Sequence, residues 1–198
     1  MTANPARPKL LPRRQRREAL LTAAARAFAR GGFAATSLAE VAEEAGVSRV
    51  LIYRHFDSKE DLYREVLEQT RDDLLRMTGA PDQLTPSSLT GLVDFARAHP
   101  DRFRLFFRHA GREPDFRAHA DWLRVAMTEA TRPYLREMIS DDGLRAWAAE
   151  LVPSVAIEAI LAWLEAGCPG PDTAGDTIAT MVGRVIETIV QTGHADDS

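Results

Sequence analysis

A chain of 198 residues, 45% of them hydrophobic, is long enough to bury a full core in one large or two small domains. Its single cysteine, Cys168, excludes a disulfide within the chain. Neither a signal peptide nor a run of 18 apolar residues is found, so we expect a cytoplasmic protein with no membrane partner.

The net charge of −4 hides an uneven distribution of charge along the chain. Residues 1–59 contain eleven basic and five acidic residues, a net charge of +6, which leaves −10 for the remainder. Such asymmetry is typical of a chain whose first part meets a polyanion while the rest does not.

The first twelve residues have few apolar side chains to bury, and we predict that this tail is disordered. Four arginines follow just before the first amphipathic helix: Arg13, Arg14, Arg16 and Arg17. Two interpretations of this cluster stay open. The arginines either lie along DNA phosphates or in a minor groove, or they form a solvated helix start.

Residues 36–59, TSLAEVAEEAGVSRVLIYRHFDSK, predict two short helices and the start of a third. Ser37 and Glu40 have the spacing of a capping box, and Gly46 stands where a helix would end in a left-handed conformation. Ser48 and Ser58 are suited to cap the next two helices. These signals favour a helix-turn-helix, so we assign residues 13–60 to a DNA-binding domain.

The second helix of this motif is the predicted reading helix. At about 100° per residue, Ile52 and Phe56 face the core, whereas Val50, Leu51 and Arg54 face outward. Aliphatic side chains can touch thymine methyl groups, and arginine commonly pairs with guanine. This outward face therefore suits base edges in a major groove, and the residues beside it are placed to meet phosphates.

These motifs resemble those of the TetR family of transcriptional regulators. The resemblance covers residues 13–65 and rests on Leu20-Leu21, Ala24-Ala25, Phe28, Gly31-Gly32-Phe33, Thr36-Ser37, Ala45-Gly46-Val47-Ser48, Tyr53-Arg54-His55-Phe56 and Lys59. It implies phosphate contacts for Thr36, Ser48, Tyr53, His55 and Lys59. Many family members have Lys-Gly and a small polar residue where this chain has Arg49, Val50 and Leu51, so the base preferences of the family do not transfer.

The residues expected to bind DNA lie on the reading helix, on its flanks and at the neighbouring helix starts. They are Thr36, Ser37, Ser48, Arg49, Val50, Leu51, Tyr53, Arg54, His55 and Lys59. No catalytic residue, cofactor or metal is expected, because the chain has no H-E-x-x-H, phosphate-binding loop or G-x-S-x-G motif. His109 and Glu113 have a spacing that can share a metal, but no third ligand lies nearby in the sequence.

Residues 61–198 are predicted to form a larger helical domain, which makes the fold all-α with about nine helices. The expected helices are 59–77, 86–99, 100–110, 114–139 with Pro133 disturbing its last turns, 143–166 interrupted at Pro153, and 173–191. The first of these helices joins both domains and is the expected lever between them.

The last two helices carry apolar stripes that predict a dimer interface: Ile157, Leu161, Leu164, Ile178, Val182, Val185 and Ile189. The alternative is that these stripes only complete the core of one chain. Proteins of the resembling family dimerise through two such helices of each subunit, and a two-fold dimer would place two reading helices on two half-sites.

Large apolar side chains of the middle helices predict an effector pocket: Phe103, Phe106, Phe107, Trp122, Met127 and Trp147. Together these features predict a one-component, ligand-responsive transcriptional regulator, a repressor that binds a palindromic operator as a homodimer. The alternative class is a helical interaction module, or a small-molecule or metal-binding protein, without sequence-specific DNA binding. Steep salt dependence and sequence preference in DNA binding would distinguish the two classes.

Overall fold

The computed structural model describes residues 12–79 and 86–195, and this part of the chain contains helices and no strand. Nine α-helices follow one another there: α1 (Arg13–Ala35), α2 (Leu38–Glu44), α3 (Arg49–Tyr53), α4 (Lys59–Thr78), α5 (Pro86–Ala98), α6 (Pro100–Arg104), α7 (Arg117–Arg136), α8 (Asp142–Glu165) and α9 (Ala174–Ala195). The all-α prediction is confirmed. The predicted disordered tail lies outside the described residues, apart from Pro12.

The head consists of α1, α2, α3 and the first half of α4, and its apolar core is continuous with that of the body. Alanines and leucines of α1 face inward, and the other helices contribute large side chains to the same core: Leu20, Leu21, Ala24, Phe28, Leu38, Val41, Ile52, Phe56, Leu62 and Tyr63. With five residues, α3 is too short to be stable alone. It is held by Ile52 and Phe56, both of which are at least 98% buried.

The body consists of the second half of α4 and helices α5 to α9. Its central helix, α8, buries one side against α5, α7 and α9. By length and composition alone α8 could cross a membrane, but half of its most apolar stretch is buried inside the fold. A core helix of this kind satisfies the same test.

Several helices of the body differ from those expected. α8 runs through Pro153 without interruption, and α7 continues three residues beyond Pro133. A proline removes one backbone hydrogen bond, and the packing on both sides of these helices offsets that loss. The expected helix 100–110 changes character after Arg104, continuing as a π-helix over Leu105–His109 and a 3₁₀ turn over Ala110–Arg112.

Helix α4 is shared by the head and the body. Leu62 and Tyr63 are buried in the head, whereas Thr70 and Leu74 are buried further along the same helix. A boundary at residue 60 therefore falls inside the first turn of α4 and not between two helices. α5 lies very close to the far end of α4, because a methyl group on Gly91 would lie 2.2 Å from the carbonyl oxygen of Met77.

Candidate nucleic-acid interface and ligand cavity

Side-chain caps fix both helices of the helix-turn-helix at their first turns. The Ser37 hydroxyl accepts from the Glu40 amide, and the Glu40 carboxylate accepts from the Ser37 amide at 2.7 Å. Gly46 has a φ of +64° in the turn, and the Ser48 hydroxyl accepts from the Leu51 amide at 3.3 Å. The caps and the turn predicted from the sequence are confirmed, and they hold α3 in a defined orientation.

The outward side of α3 exposes the residues that were predicted to read DNA. Val50 is 63% exposed, Arg54 is exposed and Leu51 is half-buried, whereas Ile52 on the opposite side is buried. Tyr53, on the flank, is 51% exposed. The exposed valine and the exposed arginine together form a surface that suits the base edges of a DNA groove.

Part of the positive charge of the head is neutralised by ion pairs, whereas the arginines of α3 form none with a described residue. Glu44 bonds to Arg26 at 2.8 Å and to Arg30 at 2.7 Å, and these bonds, that of Arg30 first, hold the pKa of Glu44 below its usual value. Arg49 and Arg54 have no ion-pair partner in the described part of the chain. The uncompensated charge of the head therefore lies beside the reading helix, where phosphates would lie.

Thr36 and Lys59 are not simple surface residues, because both side chains bond to backbone carbonyls within the head. Thr36 is only 5% exposed, and its hydroxyl donates to the carbonyl of Gly32 at 2.8 Å. The Lys59 ammonium donates to the carbonyls of Phe33 at 2.8 Å and Thr36 at 3.0 Å, and it lies 4.1 Å from the centre of the Phe33 ring. The Thr36 hydroxyl therefore has little surface for DNA, and one N–H of Lys59 remains for a phosphate.

His55 is half-buried where the reading helix ends. Its Nδ1 is buried without a hydrogen-bond partner among the described residues. Burial lowers the pKa of His55, and the positive charges of Arg13, Arg16 and Arg17 lower it further. The start of α1 and the end of the reading helix are therefore neighbours on one basic surface.

Comparisons with known proteins agree with this geometry. The family model described as bacterial regulatory proteins, tetR family, matches residues 20–66. The transcriptional activator FasR of Mycolicibacterium smegmatis is 33% identical over 167 residues, which cover 78% of this chain and 74% of FasR. This chain belongs to the TetR family. It is a helix-turn-helix DNA-binding transcriptional regulator and not an enzyme.

Two further comparisons differ in how much of the chain they cover. The regulator TtgR of Pseudomonas putida is 41% identical over 73 residues, but these cover only 35% of this chain and 35% of TtgR. The crystal structure of a TetR-like regulator from Rhodococcus sp. RHA1 has a TM-score of 0.70 and covers 90% of this chain and 99% of that chain, with 21% sequence identity. The first likeness is local and higher in identity, and the second shows that the complete fold is shared.

The body of this TetR-family regulator contains a cavity of about 250 Å³ between α4, α5, α7, α8 and α9. Of the six predicted effector residues only Met127 lines it. Phe103 and Phe106 are fully buried in the core, and Phe107 packs against both of their rings. Trp122 and Trp147 are exposed by 45% and 55% on the outer surface. The other five predicted residues therefore lie in the core or on the outer surface and not on the wall of this cavity, and their part in effector binding stays a prediction.

Among the described residues, the cavity is lined by aliphatic side chains and four hydroxyl groups, with no charged side chain. Its lining includes Leu74, Leu75, Thr78, Ser88, Leu92, Met127, Thr131, Tyr134, Val152, Ala156, Val182 and Ile186. Three of these residues, Leu74, Leu75 and Thr78, belong to α4. The helix that enters the head therefore also forms one wall of the cavity.

The predicted dimer residues lie mostly inside the chain. Five of the seven, Leu161, Leu164, Ile178, Val182 and Ile189, are buried within one chain. Only Ile157 and Val185 keep part of their surface exposed. These five side chains therefore pack in the core of one chain, and their part in dimerisation stays a prediction. The outer sides of these helices carry further small and apolar residues: Leu151, Val155, Ala159, Ala162 and Met181.

The junction of head and body brings together residues that the sequence did not connect. Burial lowers the pKa of His109, whereas the backbone carbonyl of Ala29 on α1 raises it, and the Glu113 carboxylate accepts from the Ala34 amide at 3.4 Å. Tyr63 is fully buried beside them, and burial first and then Glu113 raise the pKa of its hydroxyl. In residues 12–79 and 86–195 no three metal-ligating side chains are grouped, so His109 and Glu113 gain no third ligand there.

Proposed function

We propose that this chain is a dimeric repressor that reads a palindromic operator through Val50, Leu51 and Arg54 and releases it when a small apolar molecule occupies the cavity of the body. The observation that carries this proposal is the exposed outward side of α3, capped at Ser48 and anchored by Ile52. Ser37, Ser48, Arg49, Tyr53, His55 and Lys59 are the proposed phosphate contacts. The cytoplasm, where DNA lies in bacteria, is the proposed location.

Binding-site selection from random DNA duplexes tests the DNA-reading part of the proposal. The parent protein should enrich one palindromic sequence, and Val50→Ala should relax the preference at one symmetric pair of positions by about 1–3 kcal/mol, the usual worth of a base contact. Val125→Ala is the matched control, because Val125 is 52% exposed on α7, far from the head. An unchanged preference in Val50→Ala would remove Val50 from the reading surface.

The outer sides of α8 and α9 are the proposed dimer interface, since the stripes predicted first are buried within one chain. Ala162 is exposed on α8, so a charge there should be tolerated by the folded monomer but not by an apolar dimer interface. Ala162→Glu should therefore be a folded monomer in light scattering, and Ala118→Glu, at an exposed position of α7, should stay a dimer. A dimeric Ala162→Glu variant would place the interface elsewhere.

The effector is proposed to be an uncharged, apolar molecule, because the described residues that line the cavity offer aliphatic contacts and hydroxyl groups but no charged side chain. The neutral fluorescent probe N-phenyl-1-naphthylamine should bind there. Ala130→Phe, which places a ring on the cavity wall, should abolish probe binding, whereas Ala118→Phe should not. Equal probe binding by both variants would locate the probe outside the cavity.

We propose that α4 transmits ligand binding in the cavity to the head, which then releases the operator. A ligand shifts an equilibrium only by its different affinities for two conformations. Leu74, Leu75 and Thr78 face the cavity while Tyr63 of the same helix is fixed in the head, so a ligand that moves the cavity wall also moves the head. FasR is named an activator, and a reporter gene placed behind the selected operator decides between repression and activation.

A further inference from the structure

The strongest unassigned feature is the group of basic residues where α1 begins, beside the end of the reading helix. Arg13, Arg16 and Arg17 have helical spacings of three and four, so they lie along one side of α1. All three charges act on His55, and the guanidinium of Arg17 lies 4.8 Å from the centre of the Phe56 ring. We call Arg13, Arg16, Arg17 and His55 the flanking basic cluster.

The start of α1 lacks the features that normally stabilise a helix start. Its N-cap, Pro12, provides no side-chain hydrogen bond, and its first turn contains no acidic residue. The other three helices of the head each begin with a serine that accepts a backbone N–H: Ser37, Ser48 and Ser58. Positive side chains at the positive end of a helix dipole destabilise the helix, and an anion bound there would remove that repulsion.

The arginines of this segment are not equivalent. Arg17 pairs with Glu65 of α4, so its charge is balanced and its role is to hold α1 against Phe56. Arg14 pairs with Glu18 at 3.1 Å on the exposed surface. Arg13 is exposed and has no ion-pair partner among the described residues. The uncompensated charge thus lies at Arg13, one helical turn beyond the contact that anchors α1.

We infer that the flanking basic cluster binds the DNA backbone outside the base pairs that α3 reads, with Arg13 and Arg16 as phosphate ligands and Arg17 as a positioning residue. This inference rests on the proposed function, because it uses the docking of α3 in a major groove. His55 lies two residues after the end of the reading helix, so the cluster next to it meets the phosphates that border the groove and those that follow. Arginine suits this role, since its planar group can bond to two phosphate oxygens at once.

Such contacts add affinity without adding sequence preference, because phosphates are the same at every base pair. They also release counterions, which makes binding depend more steeply on salt. The cluster therefore extends the length of DNA that each head covers, while the sequence that is read remains that of Val50, Leu51 and Arg54.

The test uses the operator obtained by binding-site selection, in a short duplex that ends at the selected bases and in one with six further base pairs on each side. The main comparison is between four proteins: the parent, Arg13→Gln, Arg13→Gln/Arg16→Gln, and Arg97→Gln. Arg13→Lys is added as a control that keeps the charge. Arg97 is exposed on α5 of the body, so its replacement changes the net charge equally without touching the head. Kd is measured from 50 to 200 mM salt, and thermal melting without DNA reports the folding of each variant.

The parent and Arg97→Gln should bind the longer duplex more tightly than the short one. In the double variant this gain should be lost, and each substitution should lower the slope of log K against log salt by about 1.8 in the dimer, or about 0.9 per phosphate. Arg13→Lys, which keeps the charge, should keep most of the slope. The ranking of different operators should stay the same in all variants.

Equal slopes and an equal gain from the added base pairs in all four proteins would overturn the inference. A changed ranking of operators in Arg13→Gln would overturn it as well, since the cluster would then act on base reading. A parent protein that prefers no sequence would overturn the proposed function itself. The two failures are therefore distinguishable.

Discussion

Gly32 and His109 meet at the junction of head and body, where a methyl group on Gly32 would lie 3.2 Å from Nδ1 of His109. The carboxylate of Glu113 would lie 3.4 Å from the same methyl group. Gly32 also bends α1 there, with φ +76° and ψ −178°. Beside this bend, the π-helix of Leu105–His109 packs against α1 and joins the head to the body.

Gly32→Ala should therefore destabilise the protein more than an alanine at another left-handed glycine. This backbone region is nearly restricted to glycine and costs other residues about 1–3 kcal/mol, to which the contact with His109 adds. Gly46→Ala is the matched control, because Gly46 has a φ of +64° but no atom within 4 Å of the added methyl group. Urea unfolding measures both variants, and equal losses of stability would show that the contact with His109 does not matter.

An ion pair between Arg102 and Asp73 joins α6 to α4. The two groups lie 2.7 Å apart, and Arg102 also donates to the hydroxyl of Thr70 at 3.1 Å. Burial first, and then the charge of Arg76, lower the pKa of Arg102 to about 10. The pair fixes α4 one residue before Leu74, which lines the cavity.

Arg102→Met should lower the free energy of unfolding by about 3 kcal/mol, near the lower end for a buried pair that loses one partner, because Arg76 still faces Asp73. Arg97→Met removes an arginine from an exposed pair with Asp94 at 3.0 Å and should cost less than about 1 kcal/mol. Chemical denaturation of both variants provides the comparison. Similar losses would show that the Arg102 pair has no special role.

Lys59 should stabilise the head even when no DNA is present. Its two hydrogen bonds join the end of α1 to the start of α4, and Lys59→Met removes both. Because bonds to charged groups contribute about 1.5–3 kcal/mol each, a loss of about 2 kcal/mol or more is expected. Arg49→Met, at an exposed position of α3, should instead weaken DNA binding and leave thermal melting unchanged. A Lys59→Met variant of parental stability would contradict this role.

Local signals made the head predictable from the sequence. The Ser37–Glu40 box and Gly46 act over a few residues, so their pattern is visible in the chain itself. The helical period of about 100° per residue predicted that Ile52 is buried and Val50 is exposed, as the structure shows. The partners of Lys59 lie 23 and 26 residues away, and no local pattern points to them.

The body was less predictable, because an apolar stripe fits the core of one chain and a dimer interface equally well. Leu161 and Val182 have the spacing of an interface and are nevertheless buried within the chain. Side-chain size alone also did not point to this cavity. Phe103 and Phe106 fill space in the core, whereas the cavity lies beside smaller residues such as Ala156. Which gaps remain open depends on how α4 to α9 pack together, and this is not encoded in any single helix.

The protonation of His55 should couple DNA binding to pH. In the free protein burial and the charges of Arg13, Arg16 and Arg17 hold its pKa below the usual value, so the neutral form dominates at neutral pH. Phosphates near the ring would favour the charged form, so the pKa should rise on binding. Binding then takes up a proton, and the affinity for DNA should increase as the pH falls through the window between the free and the bound pKa.

The gain can reach at most about tenfold per pH unit for each head, since one linked proton corresponds to 1.36 kcal/mol per unit. Stability without DNA should change in the opposite direction. The folded state holds the pKa of His55 below its unfolded value of about 6.5. The stability that this contributes is complete above that value and is lost as the pH falls through the folded pKa.

Because DNA binding takes up a proton, the Kd for DNA, measured from pH 8 to 6 at constant ionic strength, should fall for the parent and change less for His55→Asn. His119→Asn, a variant of another histidine with a lowered pKa but in the body, should keep the parental dependence. If His55→Asn also kept the parental pH dependence of DNA binding, the proton would be taken up by another group.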